Sequence, residues 1–382
     1  MMSLKSKREL IETIKPRYLK ASKQEKKKIL DEFALATGYH RKHAIRVLKT
    51  QRQVQNRLKR KTKTYKTIYQ GEVVQALEQI WEIYGQICSK RLQPFLPEAI
   101  KVLERCQEIE LSGDTKELLL KISSASIDRY LRPARIQSVH GLSTTKPGSL
   151  LKTLIPIQTF TKWDAERPGF LEIDLVAHCG NTTQGQYLNT LTCTDLATGW
   201  TEVTGVLHRS QEAVAEAIQR MRQRLPFPLL GIDSDNGSEF INELLYRYCL
   251  DEQITFTRSR PYQKNDQAHV EQKNWSVVRH TVGYDRWETA QELALLEGIY
   301  DDLRLYINFF QPSFKLMAKE RIGNKTIKRY DPAKTPYQRV LDRQDISLEP
   351  KAHLINSYLQ LNPAELRRRI DQKTAMLWKI SR

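Results

Sequence analysis

Cysteine is scarce in this 382-residue chain: Cys88, Cys106, Cys179, Cys193 and Cys249 are scattered, odd in number and form no Cys-x-x-Cys pair. That excludes a disulfide framework and reads as reduced thiols, as expected of a cytoplasmic protein. His40 and His43 have zinc-like spacing, but no cysteine pair accompanies them, so a structural zinc is not expected. No run approaches the roughly 18 apolar residues that would span a bilayer. The basic start from Met1 to Arg8 leads into Glu9 and Glu12 rather than an apolar stretch, so no signal peptide is expected either. A Gly-x-Ser-x-Gly elbow and a Walker loop are both missing, which argues against an esterase and an intrinsic ATPase. With 40% hydrophobic and 28% charged residues, the chain is nevertheless a folding one, long enough for two or three domains.

Charge is what it has in excess. The formal net charge is +18, and residues 1–68 hold 21 Lys+Arg against 5 Asp+Glu, while the rest of the chain holds 41 against 39. Such asymmetry points to a basic domain that sits on a polyanion. Within it, Lys26 to Ala36 sets Ile29, Leu30, Phe33 and Ala34 on one helical face. Thr37-Gly38-Tyr39 breaks the pattern, and His40 to Lys49 resumes it with Ala44, Ile45 and Leu48 inward and Arg41, Lys42, Arg46 and Lys49 outward. Two helices at a short glycine turn, the second one basic, read as a DNA-binding helix-turn-helix in residues 1–68. Nucleic acid is therefore the expected partner, and a membrane is not.

Residues 69–135 are patterned as a second helical, helix-turn-helix-like domain. Its last helix follows the cap Ser123-Ser124, packs Ile127, Tyr130 and Leu131, and shows Arg129 and Arg132. Pro147 and Pro156 among Gly, Ser and Thr, with Pro133 and Pro168 flanking them, mark residues 136–166 as a linker. From 167 to 311 the pattern changes. Leu171 to Leu175 alternates at period two, Gln186 to Thr194 and Trp200 to Val206 flank the turn Ala197-Thr198-Gly199, and Leu229 to Ile232 and Ile254 to Thr257 supply two more strands. Helices are expected over Ser210 to Leu225, Phe240 to Leu250, Gln267 to Thr281 and Glu288 to Phe309. Three strands followed by alternating helices and strands make an α/β domain with a mixed five-stranded sheet, and the right-handed crossover rule lets the fourth strand return beside the first. Residues 312–382 form a basic C-terminal extension. Lys315 to Tyr330 is a basic hairpin or DNA-contacting segment, with a merely solvated face as the equal alternative, and Pro363 to Ile380 is a basic helix suited to an oligomer contact.

In that order of elements three acids meet: Asp174 on the first strand, Asp235 just past the fourth and Glu271 on the helix after the fifth. Three clustered carboxylates repel unless a cation lies between them. The hard, oxygen-seeking choice is Mg²⁺ or Mn²⁺, and two such ions suit phosphoryl transfer. Glu172, Asp233 and Asp266 are rival acids nearby. Asp235 alone precedes Asn-Gly, and Glu271 alone leaves a gap of 35 residues after Asp235.

Gly231-Ile232-Asp233-Ser234-Asp235-Asn236-Gly237-Ser238-Glu239-Phe240 closely resembles the second-aspartate motif of integrase-core proteins, and Arg260-Pro261-Tyr262-x-x-Asn265 leading to Glu271 resembles their third. With Glu172-x-Asp174 and Thr194-Asp195-x-x-Thr198-Gly199-Trp200, the stretch from about Pro168 to Val282 is similar to the retroviral-integrase superfamily. Within it the chain most resembles bacterial insertion-sequence transposases. The resemblance implies an RNase H-like fold and a DDE transposase that cleaves the ends of a mobile element and joins them to target DNA. Asp174, Asp235 and Glu271 are implied as the catalytic, metal-binding acids, with two Mg²⁺ or Mn²⁺ as cofactors. A homodimer or higher oligomer on transposon-end and target DNA follows, in a cytoplasmic, nucleoid-associated protein. The alternatives are a DNA-binding regulator derived from a transposase and a ribonuclease H-type nuclease. Retroviral relatives carry a DNA-contacting lysine seven residues after the glutamate, where this chain has Val278, so the role is assigned to Lys273 or Arg279. Arg258, Arg260 and Lys264 are expected on phosphates, Trp275 is expected in the core, and His178 is expected as a structural histidine.

Overall fold

The computed structural model describes residues 2–49, 68–135, 166–235, 237, 239–259, 267–322 and 325–380. It divides into two units, residues 1–68 and 69–382. In the first, α1 (Leu4–Lys20), α2 (Lys23–Thr37) and α3 (Arg41–Lys49) pack around Tyr18, Ile29, Leu30, Phe33, Ala44 and Leu48. The capping box of Ser22 and Glu25 starts α2. Gly38 ends it in the left-handed conformation, φ 70°, which a residue without Cβ adopts at no steric cost. The sequence pattern gives α3 to within a residue and places α2 with its start three residues late. It does not mark α1, which is strongly charged and holds Pro16 inside.

The second unit begins with α4 (Glu72–Ile83), α5 (Ser89–Arg105), α6 (Gly113–Lys121), α7 (Ser124–Tyr130) and α8 (Arg132–Arg135). Strands β1 (Phe170–Ala177), β2 (Asn189–Asp195) and β3 (Thr201–Val206) follow, then α9 (Gln211–Arg222), β4 (Gly231–Ser234), α10 (Glu243–Asp251) and β5 (Thr255–Arg258). Next come α11 (Ala268–Lys273), a π-helical turn (Asn274–Arg279), α12 (His280–Val282) and α13 (Ala290–Phe310). The sheet order is β3-β2-β1-β4-β5, mixed and five-stranded as expected. β1 pairs antiparallel with β2 and parallel with β4, so the fourth strand does return beside the first. β4 continues parallel to β5, and β2 is antiparallel to β3. Helices α9 and α13 lie against β3, and α11 lies against β1 and β2.

Segment 69–135 differs from the expectation of a separate helical domain. Its buried Leu77, Ile80, Leu92, Leu96 and Leu103 share one continuous hydrophobic core with Ile173, Leu191, Val203, Ile299 and Phe310. Polar ties accompany that burial: the Tyr306 hydroxyl donates to the Ile83 carbonyl, and Gln311 Nε2 donates to the Tyr84 carbonyl at 2.8 Å. Sequence periodicity shows that a helix has an apolar face but not what that face packs against.

The C-terminal segment continues as β6 (Leu316–Ile322), β7 (Lys325–Tyr330), α14 (Pro336–Asp342), α15 (Leu348–Gln360) and α16 (Pro363–Ile380). The hairpin is present. Helix α16, the expected oligomer contact, packs one face within the chain: Leu366, Ile370 and Leu377 are buried, and Arg369 and Lys373 both pair with buried Asp302 on α13. Its basic face answers an acid that had to be neutralised on burial.

Candidate active site

The strand register brings the first two acids together. Ile173 of β1 is opposite Ser234 of β4, so Asp174 and Asp235 are each one residue beyond that parallel pair. Asp174 Oδ1 accepts from the Leu175 N–H at 2.8 Å, and its Oδ2 accepts from Asn274 Nδ2 at 2.6 Å. Asp235 Oδ1 accepts the Gly237 N–H at 2.8 Å. Burial first, then the charges of Asp235, Glu271 and Glu239, push the Asp174 carboxyl up to about 7. Burial, with Glu239 adding to it, also raises Asp235. Glu271 is exposed on α11 and acts on both Asp174 and Glu172 through its charge. Asp174 thus lies in the electric field of both Asp235 and Glu271.

The rival acids take structural places. Glu172 is buried, and its Oε2 accepts the N–H groups of His269 and Val270 at 3.0 Å. It thus holds the first turn of α11, where a carboxylate is favoured by the free backbone donors, and fixes the helix that carries Glu271. Asp233 is fully buried and accepts from the Thr257 hydroxyl at 2.6 Å, tying β4 to β5. Asp195 closes its own turn, accepting from Thr198 N–H and Oγ1, and also takes the Gly169 N–H at the start of β1. Asp266 is outside the described residues.

Three residues complete the site around the named acids. Glu239 adds a fourth acid to the cluster, and Arg209, from the loop after β3, pairs with it. A Cβ at Gly237 would be 2.7 Å from the Glu239 carboxyl carbon, so glycine there leaves room for that carboxylate. The signal was the Glu of the Asp-Asn-Gly-x-Glu wording, read only as part of a motif. Asn274 is the other positioned group. Its amide nitrogen holds Asp174, while its Oδ1 is buried with no hydrogen-bond partner. Among the described residues no three His, Cys, Asp or Glu side chains converge as a ready-made metal cage. The donor set is all oxygen, and neighbouring carboxylates push Asp174 up, which fits a hard cation.

The π-turn explains the missing lysine. His280 N–H donates to the Trp275 carbonyl, five residues back, so one extra residue enters the turn. Val278 thereby falls in the core, fully buried. Trp275, expected in the core, is instead 64% exposed one turn beyond Glu271. Arg279 is committed elsewhere: its guanidinium donates to the carbonyls of Ala177 at 2.7 Å and Gly283 at 3.2 Å and lies over the Tyr284 ring. Lys273 is pushed down to about 8 by burial and the nearby cations Arg91 and Arg339. Arg258, on β5, is buried rather than presented to solvent. Arg260 and Lys264 lie outside the described residues. His178 is structural, fully buried with Nε2 on the Thr190 hydroxyl at 2.7 Å and its ring 4.7 Å from that of Trp287. Arg41, Lys42, Arg46 and Lys49 on α3 are exposed, as are Arg129 and Arg132.

The integrase core domain family matches residues 164–264, which hold both aspartates and the sheet. The uncharacterized protein y4rM of Sinorhizobium fredii (strain NBRC 101917 / NGR234) is 42% identical over 340 residues, 88% of this chain and 96% of that protein. The chain belongs to the integrase-core family. The catalytic core domain of BIV integrase aligns at 19% identity with a TM-score of 0.31, over 46% of this chain and 94% of that one. An integrase-core fold is typical of metal-dependent nucleotidyl transferases. Among the described residues, no helix is long and apolar enough to cross a membrane.

Proposed function

We propose that this integrase-core protein is a DDE transposase: it binds the ends of a mobile element, cleaves them to expose a 3′-OH and joins them to target DNA. The observation that carries this reading is the register pairing of β1 and β4, which sets Asp174 and Asp235 side by side with Glu271 charging the same space. Asp174, Asp235 and Glu271 would hold the divalent cations, whose Lewis acidity supplies activation of the attacking oxygen and stabilisation of the leaving one. Around them the chain's own groups do the positioning. Asn274 orients Asp174, the Gly237 N–H orients Asp235, and Glu172 anchors the first turn of α11. Arg209 neutralises Glu239 so that the cluster is not overloaded with negative charge.

DNA recognition falls to the first unit. Helices α2 and α3 meet at the Gly38 turn, and α3 presents Arg41, Lys42, Arg46 and Lys49 to solvent, an arrangement suited to a helix in the major groove. Arg129 and Arg132 provide a second exposed basic site on α7 and α8. Two ends must be joined in one event, so the acting form is at least a dimer on DNA. The test is binding and joining of cognate ends by gel assay. Asp235→Asn is expected to retain end binding and to lose both cleavage and joining. Joining at wild-type rate by that variant would refute the assignment. A wild-type protein that binds ends but never cuts them would favour a DNA-binding regulator.

A further inference from the structure

Ribbon β6–β7 stands on a firm base, and among the described residues its two strands pair only with each other. At the base, the Lys315 N–H donates to Asp331 Oδ1 at 2.6 Å, Asp331 pairs with Arg339, and Ser313 and Lys334 exchange backbone hydrogen bonds at 2.9 and 3.2 Å. The rings of Phe314 and Tyr330 meet above it, 6.0 Å apart. Beyond this point only two strands continue. Arg321, Thr326, Ile327, Lys328 and Arg329 are all exposed, and the sheet contains β6 and β7 alone.

A two-stranded hairpin is marginally stable by itself, and this one has an unfavourable composition for standing alone. Residues 315–330 hold six basic residues and a single acid, Glu320. Glu320 offsets little: its contact with Arg329 is 3.9 Å long and open to water. Apolar side chains are interleaved with the cations, Met317 at 66% and Tyr330 at 52% exposure. Repelling cations, large exposed side chains and two strands paired only with each other are costs in water that a polyanion with an apolar-walled groove relieves together. The charge selects a nucleic acid, and a two-stranded ribbon fits the major groove of a duplex.

We propose that the β6–β7 ribbon is a DNA-binding arm, separate from both α3 and the acid cluster, with Arg321, Lys328 and Arg329 on phosphates and Met317 and Tyr330 against sugars and base edges. This rests on the reading of the chain as a DNA-acting enzyme. The arm is the part of the C-terminal segment that does not pack into the core, which accounts for its charge where α16 uses its own cations internally.

The test uses the full chain and a duplex of arbitrary sequence, with affinity measured across a salt series for wild type, Lys328→Gln and the triple variant Arg321→Gln/Lys328→Gln/Arg329→Gln. Each phosphate contact contributes about 0.9 to the slope of log affinity against log salt, so slopes shallower by about 1 and by about 2–3 are expected. The triple variant should bind on the order of tenfold or more weakly at a given salt. Met317→Ala/Tyr330→Ala should lose affinity with its slope unchanged. Wild type that binds with variants superimposed on it in slope and affinity would overturn the arm while leaving the enzyme reading intact. Unchanged slopes together with loss of a dimer on sedimentation would overturn it in favour of strand pairing between two copies. Failure of wild type to bind any duplex would instead remove the DNA-acting reading itself, and the arm with it.

Discussion

Arginines and lysines near α3 and those near the carboxylates look alike in sequence and differ in what they do. On α3 they point to solvent from a unit with 21 basic and 5 acidic residues, and nothing in that unit can neutralise them all. Around the acid cluster the charge is nearly balanced, and the cations are consumed. Arg279 ties the end of β1 to the end of α12, Arg209 pairs with Glu239, and Arg304 pairs with buried Glu202. A basic residue is a good sign of a polyanion site where acids and free carbonyls are too few to occupy it. In a balanced α/β domain it is first of all a part of the fold.

Substitutions can break this contrast. Among the cations, the largest effect should come from Arg46→Gln/Lys49→Gln on α3. End binding is expected to weaken on the order of tenfold or more, while the unfolding free energy stays within about 0.5 kcal/mol, as for exposed sites generally. Arg279→Met should behave in the opposite way. It strands the Ala177 and Gly283 carbonyls, so chemical denaturation should show a loss of about 1–3 kcal/mol, with affinity of the folded fraction unchanged. Equal effects of the two changes on DNA affinity would dissolve the distinction.

The acid cluster provides a pH signature. Folding raises the Asp174 carboxyl from its ordinary 3.8 to about 7. Its contribution to the stability of the metal-free protein is therefore present below the ordinary value and lost as pH rises through about 7. Mg²⁺ replaces the proton, so its effect on the thermal midpoint should grow from near zero at about pH 5.5 to a few degrees at about pH 8. Asp174→Asn should remove the pH-dependent gain, and a gain of the same size in that variant would place the cation elsewhere. The smallest effect concerns Gly237→Ala. The new Cβ meets the Glu239 carboxyl, and the flexible end of that side chain can shift. A severalfold loss of cleavage is expected with little change in stability.

Much of the central sheet was legible because period-two alternation in Leu171–Leu175 and turn residues at Ala197-Thr198-Gly199 are local signals. The pairing of β1 with β4 followed from crossover handedness, and with it the place of Asp174 and Asp235. What was not legible depends on contacts distant in sequence. No periodicity shows that Leu92 and Leu96 of α5 share a core with Phe310 of α13. Nothing local separates Arg258, buried on β5, from a loop arginine. Trp275 lies four residues from exposed Glu271 on the same helix face and is exposed with it, whereas the size of a tryptophan alone points to the core.

Nicking of supercoiled plasmid with Mn²⁺, run on wild type and on Asp174→Asn, Asp235→Asn and Glu271→Gln, tests the central claim most directly. The account predicts metal-dependent nicking by wild type and loss of at least about a hundredfold in each single variant, because the acids act as one unit. Nicking that survives in any one of the three would contradict a site built from Asp174, Asp235 and Glu271.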